Sequence, residues 1–332
     1  MSMVSTNRGL LPLRLLFFRK HTVRDRNCPL CESWLWHRST SRARTESRID
    51  AWFPGCRGGP AQHPMAPDPM MRDDRARLIG EADPAPVRVL RPDGASQFFL
   101  TADHAGRAIP RRLGNLGLPE SELGRHIAWD VGIAGVTEKL TEVLDATAVL
   151  QVYSRLIIDC NRKPEWASSI PALSELTLIP DNENIPPGER EARRREIFAP
   201  YHDCIAELLD QRRAPGRRTV LVAMHSFTPV FKGEPRDIEI GILYNRDARL
   251  ANILLDLLRS EGDLVVGDNA PYAITDASDY TVPVHGEGRG LPHVEIEIRQ
   301  DLIGDELGQA AWAARLARLL PLADARLRTV SG

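Results

Sequence analysis

From Val87 onward, short runs of aliphatic and β-branched residues alternate with longer stretches whose apolar positions recur every three to four residues. The runs at 87–90 and 97–101 predict strands. Residues 130–144 predict a helix, with Val131, Ile133, Val136, Leu140 and Leu144 on one stripe. Further strands are expected at 147–153, 156–158, 219–224, 238–244, 263–266 and 293–298. Helices are expected at 187–212, bent near Pro200, at 247–259 and at 305–320. Near-continuous apolar strands separated by helices imply a largely parallel sheet covered on both faces.

Before Val87 the pattern is different. Residues 1–75 lack regular periodicity and are rich in Arg, Ser, Pro and Gly, with Pro-Met-Ala-Pro-Asp-Pro at 64–69. They are expected to form a disordered basic extension, or to precede a true start at Met70 or Met71. The folded domain then runs over 76–332. Cys28 and Cys31 have metal-knuckle spacing without a second cysteine pair, so chance explains them best. The apolar stretch at 9–18 is interrupted by Arg14 and has its charges on the wrong side for a secretory signal.

Composition adds limits. The chain is 42% hydrophobic and 27% charged with a net charge of −2, which gives no reason to expect a nucleic-acid or membrane partner. The charge is uneven, because residues 1–70 carry 11 basic against 5 acidic side chains. Five scattered cysteines read as reduced, which points to the cytoplasm. Oligomeric state is not legible.

Several polar residues fall where ligands gather in α/β sheets, just beyond strand ends. His104 follows the strand at 97–101, and His225 follows the one at 219–224. Two imidazoles at the ends of two strands can meet in space and share a zinc ion, which accepts nitrogen and carboxylate ligands and leaves a place for water. Position alone favours two unrelated histidines, since no short ligand motif such as His-Glu-x-x-His is present. Asp130, at the start of the predicted helix, is either a third ligand or only an N-cap. Arg155, Asp159, Asn161 and Arg162 cluster beside a short apolar run, suited to holding a carboxylate or to an ion-paired loop. Glu295, Glu297 and Arg299 share one face of a strand whose other face is Val294, Ile296 and Ile298. That suggests an inner strand with a polar face lining a cleft, where a glutamate acts as general base.

Together these segments resemble the N-formylglutamate amidohydrolase family. The resemblance rests on His-Ala-Gly at 104–106, Trp-Asp at 129–130, Ser-Arg and Asp-Cys-Asn-Arg within 154–162, and His-Ser-Phe at 225–227. Leu-Tyr-Asn-Arg at 243–246, His-Gly-Glu at 285–287 and Glu-Ile-Arg-Gln-Asp-Leu at 297–302 complete it. It implies a three-layer α/β sandwich with a central mixed, mostly parallel sheet of the phosphorylase/hydrolase-like kind. It implies one Zn²⁺ per chain, or another divalent metal, on His104, Asp130 and His225. Glu297 would be the base, with Glu295 its rival, and Arg155 would polarise the scissile carbonyl. Asn161 and Arg162 would hold the carboxylate of a small N-acyl amino acid. The implied reaction releases formate and L-glutamate from N-formyl-L-glutamate, within histidine degradation. A deacylase or carboxypeptidase-type hydrolase for another N-acyl amino acid or peptide is the alternative. One departure stands out. Carboxypeptidase relatives take their second ligand three residues after the first histidine, and here that residue is Arg107, which cannot bind zinc.

Overall fold

The apolar run at 219–224 becomes the middle strand of a seven-stranded mixed sheet in the computed structural model, which describes residues 77–214 and 216–331. The expectations for 1–75, including Cys28 and Cys31, lie outside the described residues. The strands are β1 (Val87–Leu90), β2 (Phe98–Ala102), β3 (Thr147–Gln151), β4 (Leu173–Ser174), β5 (Thr177–Leu178), β6 (Val220–Phe227), β7 (Val230–Phe231), β8 (Glu234–Pro235), β9 (Ile240–Leu243), β10 (Val266–Asp268) and β11 (His293–Arg299). The sheet order is β1-β3-β2-β6-β11-β9-β10, and β4-β5 and β7-β8 are separate hairpins. β2 pairs parallel with β3 and β6, β11 with β6, and β10 with β9. β1 against β3 and β11 against β9 are antiparallel.

The helices are α1 (Glu120–Leu123), α2 (Ile133–Leu144), α3 (Pro187–Arg193), α4 (Ala199–Arg213), α5 (Arg249–Glu261) and α6 (Glu306–Ser331). One core joins α2, α5 and α6 to Phe98, Leu100, Val220, Val222, Met224, Val294, Ile296 and Ile298. A second core, on the opposite sheet face, joins Phe99, Val149 and Leu221 to Ile197, Phe198, Tyr201 and Ile205 of the α3–α4 region. Helices on both faces of a mixed sheet make the expected three-layer sandwich. Among the described residues, no helix is long and apolar enough to cross a membrane.

Five local expectations change. The helix expected from Asp130 starts at Ile133, behind Gly132, whose φ is 82°. A Cβ on Gly132 would lie 2.1 Å from the Ile303 carbonyl oxygen, so only glycine fits this approach. Asp130 therefore sits in the preceding loop, not on the helix. The apolar triplet at 156–158 is a turn. Its carbonyls find side-chain donors instead of a strand: Asn182 donates to Leu156 at 2.8 Å and Arg193 to Ile157 at 3.0 Å. The strand expected at 263–266 lies at Val266–Asp268. The last helix runs on to Ser331 with Pro321 inside it. Where a bend is expected near Pro200, the helix passes instead through a π-helical stretch, Arg194–Phe198, between α3 and α4.

Candidate active site

Along β6 and β11 the period of two sends Val222, Met224, Val294, Ile296 and Ile298 into the first core. Ala223, His225, Glu295 and Glu297 therefore face the other way. His225, Glu295 and Glu297 are buried, and all three line a cavity of about 450 Å³. The register places Glu297 beside His225 and Glu295 beside Ala223. His104 enters the same cavity from the turn after β2. The glycine of its His-Ala-Gly motif has a local reason, since a Cβ on Gly106 would meet the Val152 carbonyl oxygen at 1.9 Å. That contact lets the turn lie against the strand beside it.

His104, Asp130 and His225 converge. Their ligand atoms all lie within 4.8 Å of one another, and all three side chains are buried. Nδ1 of His225 is 3.0 Å and Nδ1 of His104 3.4 Å from the same Asp130 oxygen, Oδ2. The Asp130 loop is held by its own N–H to the His104 carbonyl at 2.9 Å, and the Ser226 N–H donates to Oδ2 at 3.2 Å. Ser154 and Arg155 fix this loop as well. The Ser154 hydroxyl and the Arg155 N–H both donate to the Ala128 carbonyl.

Behind each imidazole stands a second carboxylate. Asp159 accepts from His104 Nε2 at 2.8 Å, and Asp103 Oδ2 lies 3.3 Å from His225 Nε2. The other Asp103 oxygen accepts from the Tyr201 and Thr281 hydroxyls at 2.7 and 2.9 Å. Two imidazole nitrogens with a carboxylate oxygen form a zinc-type donor set. Carboxylates on the far ring nitrogens are how metal-bound imidazoles are oriented. The residues present fit such an ion.

The electrostatics follow from burial and crowding. Burial opposes ionisation of Asp159, yet the Arg155 guanidinium and His104 hold its carboxyl well below the usual range. Against burial, His225 pulls Asp103 down to about 2. Burial and Arg155 depress the His104 ring, but Asp159 and Asp130 raise it above its ordinary value. Burial also depresses His225, but Glu295, Asp103 and Asp130 raise it well above. Burial pushes Glu295 and Glu297 up to about 8, with Asp279 adding to it at Glu295 and Asp130 at Glu297.

The remaining candidates occupy the cavity wall. Arg155 pairs with Asp159 at 2.5 Å and with Asp130 at 3.5 Å. Asn161 lines the cavity, and its carbonyl oxygen accepts the N–H groups of Tyr280 and Thr281, both at 3.0 Å. Its amide also donates to Asp279 at 3.2 Å, so it shapes the 279–281 loop. Arg162 lies 4.0 Å from Asp159 and 3.9 Å from Asp279, less closely engaged than Arg155. Arg299 leaves the cavity, donating to the carbonyls of Arg236 and Asp237 at 3.1 Å.

Sequence reasoning did not single out Asp103, His126, Glu175 or Tyr272. Asp103 adjoins His104, and an acid beside a candidate ligand at a strand end was the available signal. The others had none. Glu175, at the β4-β5 turn, accepts from the Lys232 N–H of the β7-β8 turn at 2.9 Å and pairs with Arg125. It thereby joins the two hairpins at the cavity. His126 Nε2 lies 3.4 Å from Glu175, and burial lowers its pKa.

A buried donor cluster with acids and arginines around it is suited to hydrolytic chemistry. The likeness to known proteins agrees, for residues 96–304 match the N-formylglutamate amidohydrolase family, more than half of the chain. The chain belongs to that family, and it is an amidohydrolase. The crystal structure of a gene product from Agrobacterium tumefaciens is 41% identical, covers 76% of this chain and 100% of its own, and has a TM-score of 0.73. The structure of an N-formylglutamate amidohydrolase from Ralstonia eutropha is 19% identical, covers 74% of this chain and 100% of its own, and has a TM-score of 0.55, so it shares the fold. No curated protein matches the chain.

Proposed function

We propose that this protein hydrolyses the amide bond of an N-acyl amino acid, with N-formyl-L-glutamate giving formate and L-glutamate as the preferred reaction. We further propose that His104, Asp130 and His225 hold one divalent ion, zinc by the character of the donors. The observation that carries this reading is the approach of two imidazole Nδ1 atoms, 3.0 and 3.4 Å away, to one Asp130 oxygen. An ion held there supplies Lewis acidity to the carbonyl and the attacking water.

Glu297 is the proposed base. It takes a proton from the water as the new C–O bond forms, then delivers it to the amine nitrogen as the C–N bond breaks. Its register beside His225 and its electrostatic coupling to Asp130 and Arg155 support this choice. Glu295 Oε2 lies 3.9 Å from His225 Nε2, the ring nitrogen turned away from Asp130. That position suits an acid that steadies the ring. Arg155 is assigned to the developing oxyanion, a donor whose removal costs about 3 kcal/mol in comparable sites. Arg162, with Asn161 beside it, is assigned to the α-carboxylate of the substrate. The described cysteines, Cys160 and Cys204, are free, in keeping with action in the cytoplasm.

Metal analysis combined with formate release tests the scheme. His104→Ala and His225→Ala should lose the ion and turnover together, whereas Glu297→Gln should keep the ion and lose turnover. Full activity in chelator-treated protein would exclude the metal assignment. A preference for N-acetyl- or N-succinyl-glutamate would move the acyl specificity without moving the residues.

A further inference from the structure

Two arginines, Arg155 and Arg162, line the cavity, and a third, Arg236, packs against rings of its wall; their charges are used differently. Arg155 is neutralised at close range by Asp159. Arg162 has acids only at 3.9 and 4.0 Å. Arg236, directly after β8, has no carboxylate within ion-pair distance among the described residues. Its guanidinium carbon instead lies 4.6 Å from the Phe231 ring centre, 4.8 Å from Tyr272 and 5.7 Å from Phe227. Those three rings line the cavity. Its one side-chain hydrogen bond to protein is from Nη1 to the Tyr272 hydroxyl at 2.8 Å. A guanidinium carries five N–H donors in a planar fork. Rings packed against it hold that plane while the remaining edge donors stay available. Such a framed edge is suited to gripping a carboxylate in bidentate fashion.

We propose that Arg236, framed by Phe227, Phe231 and Tyr272, is the subsite for a second anionic group of the substrate, the side-chain carboxylate of an N-acylated acidic amino acid. The proposal rests on the hydrolase reading above and adds a specificity-determining residue to it. The two carboxylates of such a substrate then meet two arginines from different parts of the chain. Arg162 comes from the loop after β3 and Arg236 from the end of the β7-β8 hairpin. The Arg236 charge is also felt inside the cavity, where it opposes the upward push of burial on Glu297. A competing role is purely mechanical, with Arg236 as a strut between hairpin and Tyr272. The two roles differ in what they do to substrate choice.

The test uses the full-length metal-loaded protein and two substrates of equal size, N-formyl-L-glutamate and N-formyl-L-glutamine. Arg236→Gln is expected to lower kcat/KM for the acid roughly 10- to 100-fold, the range of a charge-assisted hydrogen bond, mainly through KM. The amide should change less than about 3-fold, because it offers no charge to lose. Arg236→Lys should recover part of the preference. Tyr272→Phe, which keeps the ring and removes the aiming hydroxyl, should reduce the preference modestly. An equal loss on both substrates, or an unchanged ratio, would overturn the proposal in favour of the strut. If the wild-type protein releases formate from neither substrate, the hydrolase reading fails and calorimetric binding decides Arg236 separately. Tighter binding of L-glutamate than L-glutamine, abolished in Arg236→Gln, would uphold the subsite. No such preference, or one that survives the substitution, would remove it.

Discussion

Two faces of the same two strands follow opposite rules. On one face of β6 and β11, Val220, Val222, Met224, Val294, Ile296 and Ile298 are buried against helices and carry no polar atoms beyond the backbone. On the other, His225, Glu295 and Glu297 are equally buried, and His225 Nε2, Glu295 Oε2 and Glu297 Oε2 have no hydrogen-bond partner. Burying such groups opposes folding unless something compensates. The aliphatic face stabilises the sheet, and the polar face spends part of that stability on reactive groups held in place. The lesson is that one strand, through its period of two, can serve as core and as site at once.

Substitutions on the two faces should separate these roles. The largest effect is expected from His225→Ala or His104→Ala, which should abolish metal retention and bring formate release to background, read by elemental analysis and a formate assay. Glu297→Gln should lower kcat by about 10²- to 10⁴-fold, the usual worth of a general base, with metal content unchanged. Glu295→Gln should lower it by less than about 10-fold, and an inverted order would exchange the two roles. On the opposite face, Ile296→Ala should cost about 2–5 kcal/mol of stability, measured by denaturant unfolding, without changing metal stoichiometry. Asp103→Ala should weaken metal binding about 10- to 100-fold, seen in competition with a chelating dye.

The smallest expected effect concerns pH. Glu295 rises from 4.5 to about 8 on folding, and His104 and His225 also rise. A group with a raised folded pKa contributes fully to stability below its unfolded value, and that contribution is lost as the pH climbs through the folded value. Metal-free protein should therefore have its highest melting temperature near pH 5 and lose stability toward pH 8. Metal-loaded protein should show a flatter profile, because the ion replaces the protons on the two imidazoles. Parallel profiles for the two forms would argue against a shared site.

The sheet was legible wherever one pattern dominated. The continuous apolar run before His225 and the alternation at 293–298 announce β6 and β11 directly, although β6 runs on to Phe227 and so contains His225, which the sequence places just beyond the strand. Asp130 was legible only through the family resemblance, since its loop has no periodicity and its helix begins at Ile133. The run at 156–158 misled because burial alone does not make a strand, and here Asn182 and Arg193 supply the donors that a neighbouring strand would have supplied. Asp103, Glu175 and Arg236 act through partners 50 to 178 residues away or through stacked rings. No local spacing encodes such meetings.

The two hydroxyls on Asp103 have a consequence for His225. Tyr201 and Thr281 occupy one carboxylate oxygen, which leaves the other for the imidazole at 3.3 Å. Carboxylates face both nitrogens of the ring, Asp103 at Nε2 and Asp130 at Nδ1, and an ionised carboxylate can only accept, so both favour a protonated ring. His104 is flanked in the same way, by Asp159 at Nε2 and Asp130 at Nδ1. An ion held at Nδ1 of both rings would displace the inner protons alone, and each Nε2 would keep its proton toward the carboxylate outside it, with no turn of either ring.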